Sequence, residues 1–108
     1  MPQRIFASEM RKYDTNQKIL ISLADFQSRS VLFSLTKEKS VEELARELKI
    51  PLSSVYKKIS NLEELSLIEQ KKEIRSHSGK KIKLYRSRIS KAEITMKKLE
   101  MTINLYPN

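Results

Sequence analysis

The stretch that decides the fold is SVEELARELKIPLSSVYKKISNLEELSL, residues 40–67. Ser40 and Glu43 stand at the spacing of a capping box, in which each side chain accepts a hydrogen bond from a backbone N–H at the start of a helix. Apolar residues then recur at i, i+3, i+4 and i+7, the spacing of one buried helical stripe: Val41, Leu44, Ala45 and Leu48. Pro51 ends this helix, because proline disfavours α backbone at the residue before it, and it suits the start of a second helix. Two helices joined by a tight turn are therefore predicted.

The second predicted helix, residues 53–64, has one apolar and one polar face. At about 100° per residue, Val55, Ile59 and Leu62 share one narrow sector. The opposite sector and its flanks hold small or polar side chains: Ser53, Ser54, Tyr56, Lys57, Ser60, Asn61 and Glu64. Hydroxyl, amide and ammonium groups bind phosphates and base edges, and small side chains let a helix lie deep in a major groove. An unliganded surface helix has the same two faces, so the flanking segments decide between the two interpretations.

Two strands are predicted next, over residues 67–74 and 81–89, with a short turn between them. The turn contains Gly79, the only glycine of the chain, which indicates a backbone position with positive φ. Residues 71–88 hold one acid and eight basic residues, the latter being Lys71, Lys72, Arg75, Lys80, Lys81, Lys83, Arg86 and Arg88. Lysines on an exposed strand edge also discourage aggregation, but that role accounts for about two or three of them. The excess predicts a hairpin that contacts a polyanion.

The order of these elements resembles the winged helix-turn-helix core of ArsR/MarR-like transcriptional regulators, over about residues 25–89. The run LEELSLI, residues 62–68, is similar to the turn that leads from the recognition helix of that family into its wing, with Ser66 where many relatives have glycine. The resemblance implies an α+β fold, namely a winged helix-turn-helix with a three-helix core and a β-hairpin wing. It also implies that the protein is prokaryotic, from a bacterium or an archaeon. It also implies that DNA is contacted by Leu52, Ser53, Ser54, Tyr56, Lys57, Lys58, Ser60, Arg75, His77, Ser78, Lys80, Lys81 and Lys83.

The N-terminal third is less clearly patterned. Residues 1–16 show no apolar periodicity, so we predict an N-terminal arm there and a winged helix-turn-helix domain over residues 17–89. The run Ile-Leu-Ile-Ser-Leu, residues 19–23, fits either a strand or a helical turn, and we favour a strand. Asp25 is the predicted N-cap of a helix over residues 26–35, whose inner stripe is Ser28, Val31, Leu32 and Leu35.

Residues 90–108 form an extension beyond that domain. Their apolar residues alternate with polar ones on both sides of Lys97 and Lys98, as in two strands: Ala92, Ile94 and Met96, then Leu99, Met101, Ile103 and Leu105. A helical stripe would leave Ile94 and Leu105 out, so a β-hairpin explains more residues, although no glycine or asparagine marks its turn. The extension exposes an apolar face in either conformation. We expect a second copy of the chain to bury it in a homodimer; the alternative is that it completes the core of its own chain.

Charge and composition limit the partners. The chain of 108 residues has a net charge of +9, and residues 49–88 hold eleven Lys and Arg against four Asp and Glu, a balance of +7. Basic charge concentrated on the proposed DNA-reading elements favours double-stranded DNA over an anionic membrane. No run of 18 apolar residues and no signal peptide are found, so a cytoplasmic protein without a membrane span is predicted.

The sequence contains no set of residues that would indicate catalysis or a metal site. His77 is the only histidine, there is no cysteine, and no acid stands beside His77 at ligand spacing, so we predict neither a metal nor another cofactor. No phosphate loop, Ser/His/Asp set or apolar pair of carboxylates is present, so no enzyme activity is predicted. The predicted function is a sequence-specific regulator with helix 53–64 in the major groove and wing 71–88 on the backbone or minor groove. Two alternatives remain, namely a protein-interaction module of a transcription assembly and a nonspecific nucleoid-type or RNA-binding protein.

Overall fold

The structure is a computed structural model that describes the backbone of residues 7–108 and the side chains of residues 15–108. The described chain forms four helices followed by four strands, and the predicted α+β class is confirmed. The elements are α1 (Ala7–Ala24), α2 (Phe26–Ser34), α3 (Val41–Leu48), α4 (Leu52–Glu64), β1 (Ile68–Arg75), β2 (Lys81–Ser87), β3 (Ile89–Lys97) and β4 (Glu100–Pro107).

The hydrophobic core lies between the helices and the base of the strands. The apolar stripes predicted for α2, α3 and α4 meet there, and α1 adds two residues to them. The fully or almost fully buried apolar side chains are Ile19, Leu23, Val31, Leu32, Leu35, Val41, Leu44, Val55, Ile59, Leu62, Leu67, Ile68, Tyr85 and Ile89. Burial of this apolar surface is the main favourable contribution to folding, and it fixes α4 with its polar face outward.

The helix ends follow the predicted local signals. The Asp25 carboxylate accepts the backbone N–H of Ser28 at 2.9 Å, which caps α2. At the start of α3 the Ser40 hydroxyl accepts the N–H of Glu43, and the Glu43 carboxylate accepts the N–H of Ser40, both at 3.2 Å. Helix α3 ends at Leu48, Lys49 adopts a left-handed conformation with φ of 54°, and Pro51 directly precedes α4. The capping box and the proline-containing turn are thus confirmed.

The strand favoured for residues 19–23 is wrong, because these residues belong to α1. Ile19 and Leu23, four residues apart, are buried against the core, whereas Ile21 is 62% exposed. A strand would have placed all three side chains on one face. The predicted arm is also wrong in part, since residues 7–16 are the first turns of the same helix. Residues 1–6 lie outside the described part of the chain.

Strands β1 and β2 form the predicted antiparallel hairpin, which we call the wing hairpin (residues 68–87). Its register pairs Ile68 with Ser87 and Arg75 with Lys81, and Gly79 in the turn has the expected positive φ, 82°. The base of this hairpin is attached to the helices by a two-way backbone bridge between Lys39 and Tyr85, with N–O distances of 3.0 and 2.8 Å. Ser66, before β1, has φ of 60°, a left-handed conformation that glycine adopts more readily than serine.

Strands β3 and β4 form a second antiparallel sheet, the C-terminal hairpin (residues 89–107), so the predicted strands are confirmed. Its turn has no glycine; Lys98 takes the left-handed conformation there, with φ of 57°. Asn108 fastens the end of this hairpin to the rest of the fold. Its side-chain amide donates to the Ser87 carbonyl at 2.9 Å and to the Thr36 carbonyl at 3.2 Å, and its backbone N–H donates to Arg88.

Candidate nucleic-acid interface

Helix α4 presents most of the residues that the sequence assigns to DNA contact. Val55, Ile59 and Leu62 are buried in the core, which turns the opposite side of the helix to solvent. Tyr56 is 50% exposed and Leu52 44% exposed. Ser53, Lys57 and Ser60 are also exposed, and Ser54 is half-buried. The helix therefore offers a continuous surface of hydroxyl, phenol and ammonium groups.

Lys58 lies apart from that surface. Its position, three residues after Val55 and four before Leu62, places it on the flank that faces α2. The Lys58 ammonium is 2.9 Å from Oδ2 of Asp25, and its side chain is largely buried. The lysine thus fixes the N-terminus of α2 against α4, a contact between residues 33 positions apart that no local pattern in the sequence indicates.

The contact changes the acidity of Asp25. Hydrogen bonds from Lys58 and from the Ser28 hydroxyl and backbone N–H stabilise the carboxylate, and they lower the pKa of Asp25 from 3.8 to about 2. The Ser28 hydroxyl is 2.8 Å from the same Asp25 oxygen that accepts the backbone N–H. Asp25 therefore remains a charged helix cap well below the pH at which an unperturbed aspartate would be protonated.

We expect the Asp25 cap to make stability dependent on pH in the acid range. Because its pKa is lower in the folded chain than in the unfolded chain, its contribution is complete above about pH 4 and is lost as the pH falls towards 2. Carboxyl NMR titration should show a higher pKa for Asp25 in Lys58→Ala than in the parent protein. Lys57→Ala, which changes the neighbouring exposed lysine, should leave it unchanged; equal pKa values in all three proteins would contradict the contact.

Three cations of the wing hairpin, Arg75, Lys81 and Lys83, share one face, whereas Lys72 and Arg86 lie on the other. Arg75 pairs with Lys81, and Glu73 pairs with Lys83, so these four side chains share a side of the hairpin. Tyr85 lies on the same side, two residues after Lys83, and is buried where the hairpin meets the helices. The other side carries the pair Ile74 and Ile82, of which Ile74 is exposed. The basic face of the wing hairpin is therefore the face that continues into the helical core.

A cleft of about 80 Å³ separates this basic face from α4. It is lined by Val41, Glu42, Tyr56, Lys80, Lys81, Ile82, Lys83 and Tyr85. Burial raises the pKa of Tyr85, and the nearby acidic groups of Glu63 and Glu42 add to the effect, so Tyr85 stays a neutral phenol. The cleft shows that the exposed side of α4 and the basic face of the wing hairpin border one another and form one surface.

Two lysines of the wing hairpin form ion pairs with glutamates at or just before the start of α3. Lys80 Nζ lies 3.8 Å from Oε1 of Glu42 at the start of α3, and Lys72 Nζ lies 3.1 Å from Oε2 of Glu38. Both pairs are substantially exposed, so each contributes little to stability. A phosphate can replace Glu42 as the partner of Lys80 at small cost, because that ion pair is long and solvated.

The tip of the wing hairpin is organised by its own hydrogen bonds. The Ser76 hydroxyl accepts the N–H of Lys80 at 3.1 Å, and the N–H of Ser76 donates to the Lys80 carbonyl at 2.9 Å. The hydroxyls of Ser76 and Ser78 are 2.9 Å apart. His77 is exposed at this tip, beside Ser78. The tip can therefore present hydroxyl and imidazole groups from an ordered turn.

No protein-family model and no curated protein match the sequence. The structure is similar to the crystal structure of NolR from Sinorhizobium fredii, with a TM-score of 0.60 and 21% sequence identity, over 80% of this chain and 81% of that one. The fold is a winged helix-turn-helix. In this winged helix, α3 and α4 are the helix-turn-helix pair and the wing hairpin is the wing. The predicted fold is confirmed, whereas membership of the ArsR/MarR-like families stays a prediction because the likeness shows the fold alone.

The sequence-based prediction missed residues that line the cleft of the winged helix, two of which, Tyr85 and Val41, are buried. Tyr85, Val41 and Glu42 line the cleft between α4 and the wing, yet none was assigned to the interface. The alternation of Lys81, Lys83 and Tyr85 along β2 indicates that they share a face. Which face turns towards α4 depends on the backbone bridge between Lys39 and Tyr85, which the sequence does not reveal.

Among the described residues, no three His, Cys, Asp or Glu side chains come together as a possible metal site. None of the described helices has both the length and the apolar character needed to cross a membrane.

Proposed function

We propose that this protein is a sequence-specific, double-stranded-DNA-binding transcriptional regulator. Helix α4 enters the major groove, and the wing lies along the backbone or in the adjacent minor groove. The observation that carries the proposal is the single surface formed by the exposed side of α4 and the basic face of the wing, which meet at the cleft between Tyr56 and Lys83. The two parts differ in chemistry, so they would have different tasks on DNA.

The wing supplies positive charge, which attracts the phosphates of every duplex alike. Arg75, Lys80, Lys81 and Lys83 are exposed, and such cations release condensed counterions from DNA when they contact phosphates. Helix α4 supplies hydrogen-bonding groups at Ser53, Ser54, Tyr56, Lys57 and Ser60, which can select among base edges. Leu52, exposed at the helix start, can contact a thymine methyl group. His77 and Ser78 at the wing tip add donors to phosphate or sugar oxygens.

The proposed regulator acts as a two-fold homodimer in the cytoplasm. Winged and related helix-turn-helix dimers place their recognition helices in successive major grooves, with half-sites about 34–36 Å apart. A single winged helix contacts few base pairs, so two copies would be needed to select one site among the many in a genome. The surface that joins the two copies is treated below.

Selection of random duplex DNA by the purified full chain tests this proposal. Several rounds should enrich an inverted repeat whose two halves are separated by about one helical turn. Enrichment of a single half-site would contradict the dimer. Retention of duplexes without any enriched motif would show a nonspecific DNA-binding protein, and the absence of retention at low salt would favour a protein-interaction module.

Tyr56→Ala and Lys57→Ala should reduce the ratio of specific to nonspecific affinity. Loss of a base contact costs about 1–3 kcal/mol at the contacted base pair, whereas nonspecific binding depends mainly on phosphate contacts. Both side chains point away from the core, so the melting temperature should change little. Titrations against the selected duplex and a scrambled one measure the ratio. Lys97→Ala, an exposed lysine in the C-terminal hairpin, is the matched control.

If both variants retained the parent ratio while substitutions in the wing reduced it, the wing would be the element that reads the sequence. The roles proposed for α4 and the wing would then be reversed.

A further inference from the structure

The C-terminal hairpin has two chemically distinct faces. Its register sets Ala92 opposite Leu105, Ile94 opposite Ile103, and Met96 opposite Met101. Directly paired side chains share a face, so these six residues form one apolar face without a charged group. The intervening pairs form a polar face, which carries Lys91, Glu93, Thr95, Lys97, Glu100, Thr102, Asn104 and Tyr106.

On the polar face, charged and polar side chains contact one another within the hairpin. The Lys91 ammonium lies 2.8 Å from the Glu93 carboxylate and 4.9 Å from the centre of the Tyr106 ring. The Tyr106 hydroxyl donates to Glu93 at 3.0 Å. Charged groups that are paired with one another and open to solvent are suited to water, so this face requires no partner.

Within the part of the chain that the structure describes, the apolar face is only half covered. Near the base of the hairpin, Ala92 and Ile103 pack against the core. Towards the turn, Met96 is 65% exposed, Ile94 is 39% exposed and Leu99 is fully exposed. A groove of about 450 Å³ runs beside these residues, between the turn of the hairpin and Asn16 and Gln17 of α1. A two-stranded hairpin is marginally stable by itself in water, so an uncovered apolar half favours association.

The distribution of charge favours a second copy of the chain as the occupant. A chain of net charge +9 repels a second copy of itself, and most of that charge lies in residues 49–88. Residues 89–107 contain three lysines and two glutamates, a balance of only +1, and their apolar face has no charge at all. Two copies therefore meet with least repulsion at this hairpin. Since the face is uniformly apolar, it is complementary to itself across a two-fold axis.

We propose that a second copy of this chain docks on the apolar face of the C-terminal hairpin and on the groove beside α1. The inference deepens the proposed function, since it names the surface that pairs two DNA-binding copies. The groove beside α1 and the cleft beside the wing have no residue in common, so the residues proposed for docking are not those proposed for DNA contact.

Light scattering of the purified full chain in the absence of DNA tests the docking surface. The parent protein should have twice the chain mass of 12.7 kDa at high micromolar concentration. Met96→Glu places a charge on the apolar face and should raise the dimer dissociation constant roughly tenfold or more. Thr95→Glu, the adjacent residue on the polar face of the same strand, is the matched control and should leave the mass unchanged. Leu99→Glu at the fully exposed turn should also weaken the dimer, and it cannot disturb the core.

A parent protein of single-chain mass would overturn the inference, and so would an equal effect of Thr95→Glu and Met96→Glu. Far-UV circular dichroism verifies that each variant is folded. Binding to a duplex with one half-site separates this result from the proposed function. A dimer that binds no DNA would contradict the proposed DNA binding and leave the docking surface standing. A monomer that binds a half-site would contradict the docking surface and the proposed homodimer, and would leave the proposed DNA binding standing.

Discussion

Replacing Lys80, Lys81 and Lys83 together by alanine should weaken binding to every duplex, by on the order of several hundredfold at about 0.1 M salt. The estimate assumes that each side chain neutralises one phosphate, which lowers the magnitude of the log–log salt slope by roughly 0.9 per contact. All three side chains are exposed, and only Lys80 has an acidic neighbour in an ion pair, at 3.8 Å. The salt slope should therefore fall in magnitude by roughly 2.7 for the triple variant.

Affinity measured against salt concentration for a specific and a scrambled duplex gives the slope. A matched control removes three exposed lysines that lie away from the cleft: Lys18, Lys97 and Lys98. Both triple variants carry the same net charge, so a difference between them reports contact with DNA and not the overall charge of the protein. Equal slopes for the two variants would show that the wing does not touch the duplex.

Leu62→Ala should lower the free energy of unfolding by about 2–5 kcal/mol, the range observed when a buried leucine is truncated. Leu62 is completely buried on the inner face of α4, and the truncation removes apolar contacts and leaves a cavity. Because small domains are stable by about 5–15 kcal/mol, this single change would remove a large part of the total stability. Its effect would be structural, since the side chain lies opposite the residues of the helix that are proposed to contact DNA.

Urea unfolding followed by circular dichroism measures this change. Ser60→Ala, on the exposed side of the same helix, is the control, and it should alter stability by no more than about 0.5 kcal/mol. Each variant is unfolded at several protein concentrations, because the stability of a dimer depends on concentration. A loss of similar size in both variants would mean that α4 does not pack as the structure shows.

The elements governed by short-range signals could be predicted from the sequence. The capping box at Ser40, the helix cap at Asp25 and the positive φ at Gly79 depend on residues within a few positions of one another, and all three are confirmed. The alternation in the C-terminal hairpin also predicted its strands, although Lys98 occupies the left-handed position where glycine or asparagine was expected. In these segments, local chemistry and the periodicity of the side chains were sufficient to predict the local structure.

The features that the sequence did not predict depend on contacts between residues far apart in the chain. The run at residues 19–23 is too short for its period to separate strand from helix, and its helical form depends on burial of Ile19 and Leu23 against the core. Lys58 was assigned to the DNA surface from its position in the recognition helix. Its contact with Asp25 requires α2 and α4 to be packed together, which only the tertiary structure reveals. The cleft beside Tyr85 depends in the same way on how the wing packs against the helices.

Asn108 links the C-terminal hairpin to the helical core, and its contacts bear on the angle between them. Its amide bridges Ser87, at the base of the wing, and Thr36, between α2 and α3, while its backbone holds Arg88. In a dimer joined through the two hairpins, the distance between the two copies of α4 would follow from that angle. The few hydrogen bonds around this one amide would thus help to set the spacing of the two half-sites. Sequences that share α4 but differ at this junction would bind operators whose half-sites are differently spaced.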